Sequence, residues 1–176
     1  AYDGVSTTNQ TITVNVTDVN DNAPVITASQ AFSLAESAAN GAAVGTVVTT
    51  DADLTGAVNP AKTFSIISGN TNGAFAIGNN GQITVANAAA LDYESVTKSY
   101  SLTVQVSDGA NTATNRVVTI NLGDVNDNAP VFNSGATGSV NENVVAGSVI
   151  YEAGTTDADA TAGNRGVVYS LKASTG

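Results

Sequence analysis

Seven residues, Asp18-Val19-Asn20-Asp21-Asn22-Ala23-Pro24, recur unchanged as Asp124 to Pro130, 106 positions later. An identical repeat at domain-sized spacing constrains the chain to a tandem array rather than one continuous core. Companion residues keep the register. Glu36 recurs as Glu142, Gly41 as Gly147 and Asp51-Ala52-Asp53 as Asp157-Ala158-Asp159, each at 106. Asn59 before Phe64 recurs as Asn164 before Tyr169, and Asp3-Gly4 as Asp108-Gly109, at 105. A one-residue slip of this kind is what surface loops tolerate. The spacing divides the chain into the tail of one repeat (1–17), a linker (18–24), a complete repeat (24–123), a second linker (124–130) and the front of a third repeat (130–176). Joined head to tail, two copies would lack aligned positions 72–105, so a window on a longer array is the simpler reading than a self-completing filament.

Hydrophobic period sets the fold class. Ile12, Val14 and Val16 alternate with Thr and Asn; so do Leu102, Val104 and Val106, and Val118, Ile120 and Leu122. Period two with a β-branched bias predicts strands buried on one face. Shorter candidate strands are Phe32 to Glu36, Val44 to Thr49, Phe64 to Ile67, Ala74 to Ile77 and Gln82 to Val85. Asn79-Asn80-Gly81 reads as the hairpin turn between the last two. No convincing helix is present. The expectation is an all-β chain of tandem Greek-key β-sandwich repeats of about 106 residues. With 5% aromatic residues, its core must rest on Val, Ile, Leu and Ala.

The acidic residues carry the chemistry. Fifteen acids stand against five bases, a formal charge of −10, which disfavours nucleic acid as a partner. All but Glu152 fall in short motifs, while the predicted strand faces carry Thr, Ser, Asn and Gln. Clustered carboxylates repel unless a cation lies among them. Ca²⁺ fits best, since it takes six to eight oxygens from carboxylates, amides and carbonyls. The chain has no Cys and no His, which removes thiolate chemistry, Cys/His zinc sites and a Ser-His-Asp triad. No apolar run is long enough to span a membrane. The heptapeptide is not an EF-hand loop, because that loop's Gly and Glu positions hold Ala23 and Ser29, then Ala129 and Gly135. A glycosidase pair at Asp51/Asp53 is disfavoured by its own duplication, and an enzyme is not expected. Asn9-Gln10-Thr11 and Asn15-Val16-Thr17 fit the glycosylation pattern, but in Thr/Asn-rich strands chance supplies such triplets.

Together these motifs resemble tandem cadherin repeats. The linker motif is present twice, the early glutamate as Glu36 and Glu142, the Asp-x-Asp as Asp51/Asp53 and Asp157/Asp159, and the late aspartate as Asp3 and Asp108. Leu91-Asp92-Tyr93-Glu94 matches Leu-Asp-x-Glu, with Tyr93 where the family usually has Arg. The resemblance covers the whole chain and implies calcium at the junctions between repeats. At the second junction it implies Glu36, Asp92 and Glu94 above; Asp124, Val125 (carbonyl), Asn126, Asp127 and Asn128 (carbonyl) in the linker; and Asp157, Asp159 and Asn164 (carbonyl) below. At the first it implies Asn20, Asn22 (carbonyl), Asp51, Asp53, Asn59 (carbonyl) and Asp108. Asp18, Asp21 and Glu142 belong to the same motifs. The first junction is expected to keep its downstream ion, and the second its upstream pair.

The resemblance implies an extracellular, cell-surface role, with neighbouring repeats of the same chain as the first partners. There is no Trp, so no tryptophan strand exchange is expected within this window. The Ala, Thr, Asn and Gly richness is similar to the repeat regions of large bacterial surface adhesins. The expected function is a calcium-rigidified stalk or spacer in cell adhesion. The alternative is that the repeats themselves bind one another across cells or filaments, or bind a polysaccharide. Tyr93, Tyr100 and Tyr151 are the expected surface aromatics, too few to favour that alternative.

Overall fold

In the computed structural model, residues 1–53, 61–95, 97–111, 115–159, 161, 163 and 165–172 are described. Asn59 and Asn164 lie outside them. Two of the alternating segments, around Leu102 to Val106 and Val118 to Leu122, form the longest strands, because their Val, Ile and Leu side chains all reach one face. Eleven strands occur among the described residues: β1 (Val25–Ile26), β2 (Ala31–Ala35), β3 (Ala43–Thr46), β4 (Thr49–Thr50), β5 (Thr63–Ser68), β6 (Phe75–Ile77), β7 (Gln82–Val85), β8 (Ser99–Ser107), β9 (Arg116–Gly123), β10 (Val131–Phe132) and β11 (Thr155–Thr156).

One sheet has the order β2-β9-β8-β5 and the other β3-β7-β6. Their inner faces close on one core, a β-sandwich. The β8 residues Tyr100, Leu102, Val104 and Val106 and the β9 residues Val118, Ile120 and Leu122 meet Phe75, Ile83 and Val85 from the opposite sheet. Within the first sheet, β2 pairs β9 in parallel, Ala31 with Thr119 through Ala35 with Gly123, whereas β8 runs antiparallel to both β9 and β5. Gly45 in β3 makes room for Phe32: a Cβ there would stand 2.3 Å from its ring. The expected hairpin at Asn79-Asn80-Gly81 is present. Gly81, at φ +80°, donates to the Gly78 carbonyl at 2.9 Å, and the Asn80 side chain accepts from the Gln82 N–H at 3.1 Å.

Two short ladders, absent from the sequence expectations, flank the sandwich. β1 pairs β4, Val25 with Thr50, and β10 pairs β11, Val131 with Thr156. Each begins directly after the heptapeptide's proline and ends directly before an Asp-x-Asp. These two antiparallel pairs therefore set a linker beside an acidic pair twice over.

Three expectations need correction. Ile12, Val14 and Val16 are 81, 79 and 93% exposed and form no strand. Their counterparts in β9 are held between β2 and β8, whereas no strand flanks Ile12 to Val16 among the described residues. A Tyr2–Thr7 bridge is the ordering seen there. Tyr100 is not a surface aromatic but 2% exposed. It packs edge-on to Phe75 at 4.9 Å between ring centres and donates its hydroxyl to the Ala90 carbonyl. Tyr93 is half-buried against the core, with Lys98 Nζ 4.4 Å above its ring.

Leu102 is fully buried at the centre of the core, so Leu102→Ala should cost about 2–5 kcal/mol in urea unfolding. Gly69 has φ +81°, and a Cβ there would stand 1.9 Å from the Ser101 carbonyl oxygen, so Gly69→Ala should be at least as damaging. The exposed neighbour Ser101→Ala should change stability by no more than about 0.5 kcal/mol.

Candidate metal centre

The period-two inner faces do not stop where the apolar residues stop. On β2 the inward series Phe32, Leu34 continues to Glu36, one residue past the strand, and Glu36 is buried. On β8 the series from Tyr100 to Val106 continues to buried Asp108. On β9 the series Val118, Ile120, Leu122 continues to half-buried Asp124. Parallel pairing of β2 with β9 puts Glu36 and Asp124 at one pole, and the reversed direction of β8 puts Asp108 at the other. The same alternation that builds the core thus delivers acids to both ends of the sandwich.

At the second junction, Glu36 braces the start of the linker. Its two oxygens accept the Val125 N–H at 2.7 Å and the Tyr93 N–H at 2.5 Å. Tyr93 lies between Asp92 and Glu94, so the same contact brings that acidic pair to the linker. Carboxylate oxygens of Glu36, Glu94 and Asp127 lie within 4.8 Å of one another, and so do those of Glu94, Asp124 and Asp159. Two ligands each about 2.4 Å from one ion are at most about 4.8 Å apart, so both groups fit a Ca²⁺-sized ion. Asp159 accepts the Asn128 backbone N–H at 3.2 Å and its side-chain amide at 3.0 Å, both on Oδ1. Glu94 Oε1 and Asp159 Oδ2 are shielded from solvent and accept no hydrogen bond. Buried carboxylate oxygens without donors are costly unless a cation meets them.

The crowding shows in the acidities. Desolvation first, then the Asp124 carboxyl and the charge of Glu36, push Glu94 up to about 6. Desolvation, then Glu36, Asp159, Asp92 and Asp124, raise Asp127.

The first junction repeats the lower half of this arrangement. Asp53, buried, accepts the Asn22 N–H at 3.0 Å and the Asn22 side-chain amide at 2.6 Å. Asp53 N–H donates to Asp51 Oδ1 at 3.3 Å, as Asp159 N–H does to Asp157 Oδ1 at 3.1 Å. Across the pole, Asp108 accepts the Asn111 and Ala110 N–H groups at 2.6 and 3.0 Å. Its burial works to raise its pKa, but these donors and the Asn111 amide outweigh that and lower it. The Asn20 amide touches both carboxylates, 2.8 Å from Asp108 Oδ2 and 3.0 Å from Asp53 Oδ2. With its NH₂ inward it donates to both; with its oxygen inward it adds a third oxygen beside the two carboxylates.

Other candidates are placed apart. Glu142 is exposed in an irregular segment. Asp21 is exposed and accepts from its neighbour Asn22 at 2.8 Å, and Asp18 is half-buried in the first linker. Asn126 and Asp92 are exposed at the second junction, and Asp157 is half-buried there. Sequence reasoning missed Asn111. Its side-chain NH₂ lies 3.2 Å from Asn20 Oδ1 and 3.3 Å from the Asn22 carbonyl, lacing the linker to the Asp108 turn. The signal was its place three residues after the late aspartate, a spacing that favours side-chain capture of a turn.

An acidic cluster at each pole of a β-sandwich, beside a linker motif that occurs twice, defines a class of repeat-containing, metal-ready proteins. The chain belongs to the cadherin family: the cadherin domain model matches residues 30–122. That family is adhesive rather than enzymatic. The chain is 36% identical over 92% of its length to the Fat-like cadherin-related tumor suppressor homolog of Drosophila melanogaster, of which it spans 3%. It superimposes on human protocadherin-24 EC1-2 with a TM-score of 0.68 at 31% identity, covering 86% of this chain and 68% of that one. It also superimposes on a protocadherin gammaB7 EC3-6 cis-dimer structure, with a TM-score of 0.72 at 26% identity over 86% of this chain and 40% of that one.

Glu94 has a raised folded pKa, so its proton is favoured by the fold. In chelator, its contribution to stability is largest below about 4.5 and is lost as pH rises through about 6. Melting temperature in EDTA should therefore rise as pH falls from 7 to 5. Asp3 and Asp108 are lowered, so they act below this window. Glu94→Gln should flatten that slope and raise the pH 7 melting temperature in EDTA, read by circular dichroism.

Proposed function

We propose that this chain is a segment of the calcium-rigidified extracellular stalk of a cell-surface adhesin. Its units are those given by the repeat: 1–17, linker 18–24, a full repeat 24–123, linker 124–130 and the front of a third repeat. The observation that carries the reading is the convergence of Glu36, Glu94, Asp124, Asp127 and Asp159, drawn from both sides of a linker and the linker itself, in two trios that share Glu94, each within one ion's reach. Asp92, the Val125 and Asn128 carbonyls, Asn126 and Asp157 complete the proposed set. The first junction would use Asn20, the Asn22 carbonyl, Asp51, Asp53 and Asp108. When bound, Ca²⁺ supplies the positive charge that these oxygens share. The chain's own part is to hold acids from both sides of each linker in place, so that binding energy becomes a fixed inter-repeat angle.

A spacer is supported by the outer faces of the full repeat, whose described residues include few exposed large apolar side chains (Val25, Val48, Ile67, Val117). Richness in Ala, Thr, Asn and Gly with no Trp supports a large bacterial surface adhesin as the parent. The cis-dimer among the related structures favours one second reading, in which the repeats themselves associate.

Calcium at about a hundredfold excess over Kd should add about 2.7 kcal/mol per ion. Melting temperature should rise, the small-angle scattering profile should sharpen toward one extended shape, and EDTA should reverse both. Asp127→Ala should shrink the calcium-induced shift. A scattering profile indifferent to chelation would falsify the rigid-stalk reading, and a calcium-dependent dimer in sedimentation would transfer the function to the second reading.

A further inference from the structure

Beside the first junction the chain places an ammonium of its own. Lys62 Nζ lies 3.6 Å from Asp51 Oδ2. The Asp51 side chain is 4% exposed and that of Lys62 25%, so the contact is only partly screened by water. Asp51 Oδ2 accepts no hydrogen bond, while Oδ1 takes the Asp53 N–H. Lys62 is fixed by position, since it directly precedes β5, whose pairing with β8 begins at Thr63 and Ser107. Ser107 in turn leads directly into Asp108. The ladder that sets Asp108 therefore also sets Lys62.

The second junction repeats the acidic turn without the ammonium. Asp159 N–H donates to Asp157 Oδ1 as Asp53 N–H does to Asp51 Oδ1. Phe64-Ser65 aligns with Tyr169-Ser170, which puts Val167 in the place of Lys62. An uncharged side chain there leaves Asp157 without that counter-charge.

We infer that Lys62 is a resident cation of the first junction, competing with a divalent ion for Asp51 and making the two junctions unequal in affinity. The inference rests on the calcium reading above. An ammonium on one oxygen of a carboxylate supplies part of the neutralisation before an ion arrives. It also repels the ion once bound, through protein that screens less than water does. Both effects weaken ion binding at the first junction. The first also holds that junction together when the ion is scarce.

The test is a Ca²⁺ titration of the full chain from chelator-stripped buffer, followed by backbone-amide NMR. Asn22, Ala110 and Asn111 report on the first junction, and Tyr93 and Val125 on the second. Lys62→Gln should lower the first-junction midpoint by roughly three- to tenfold and leave the second unchanged. Lys62→Met, which keeps the apolar stem, should do the same, and Lys62→Arg should stay near the unsubstituted value. In EDTA, Lys62→Gln should lower the melting temperature by a few degrees. A first-junction midpoint that is unchanged or raised in both the Gln and Met variants overturns the inference and leaves the calcium reading standing. No calcium response in the unsubstituted chain overturns both.

Discussion

The parallel pairing of β2 with β9 is the constraint on which the rest depends. They are the first and last strands of the main sheet, and they run side by side in the same direction. The chain therefore enters the repeat at one pole and leaves at the other. The eight residues of β9 alone carry it roughly 26 Å at about 3.3 Å per residue. An all-antiparallel closure would return the last strand to the entry pole and fold successive repeats back on one another. Here the exit of one repeat leads straight into a linker and the next short ladder, so a linear string of units follows from strand direction. Both poles become junctions for the same reason.

Acids at the poles follow from the same alternation that builds the core, but they are not equivalent. Glu36, Asp53 and Asp108 are buried and supplied with backbone N–H donors, so their charge is balanced by the protein. They act as braces, fixing linker and loop in register. Glu94 and Asp159 each turn a buried oxygen toward neighbouring carboxylates and receive no donor there. Their unmet acceptor capacity, not the number of acids, marks where a cation belongs. The raised acidities of Glu94 and Asp127 express the same repulsion.

Much of this was legible in the residues, for physical reasons. Strands β7, β8 and β9 announce themselves through strict alternation, since only one face of each is buried. The Asn79-Asn80-Gly81 turn was readable because Gly81 accepts a positive φ. The short ladders β1–β4 and β10–β11 were not, because two residues carry no period; the apolar pair after each proline was their only trace. Ile12 to Val16 misled because alternation records a preference for one buried face but not the presence of a partner. Tyr100 misled because a hydroxyl looks solvent-bound until a carbonyl such as that of Ala90 is found within its reach. Lys62 was invisible as a site residue, since it is placed by a ladder that joins positions distant in sequence, and Asn111 left only its spacing from Asp108 as a trace.

Two identical heptapeptides thus stand in different settings. At Asp18 to Pro24, the Asn20 amide faces Asp53 and Asp108, the Asn111 amide crosses to the linker, and Lys62 sits on Asp51. At Asp124 to Pro130, Glu36 grips the Val125 N–H, the Thr161 N–H donates to Asp124 at 2.8 Å, and Glu94 crowds the center with an unpaired oxygen. The motif supplies ligands and a bend, while its companions decide how much charge is already answered. Identity of the linker therefore implies similar geometry and not similar affinity. In a long array, that lets one repeated hinge be graded from junction to junction by single residues, such as the one preceding β5, without altering the strand that carries it.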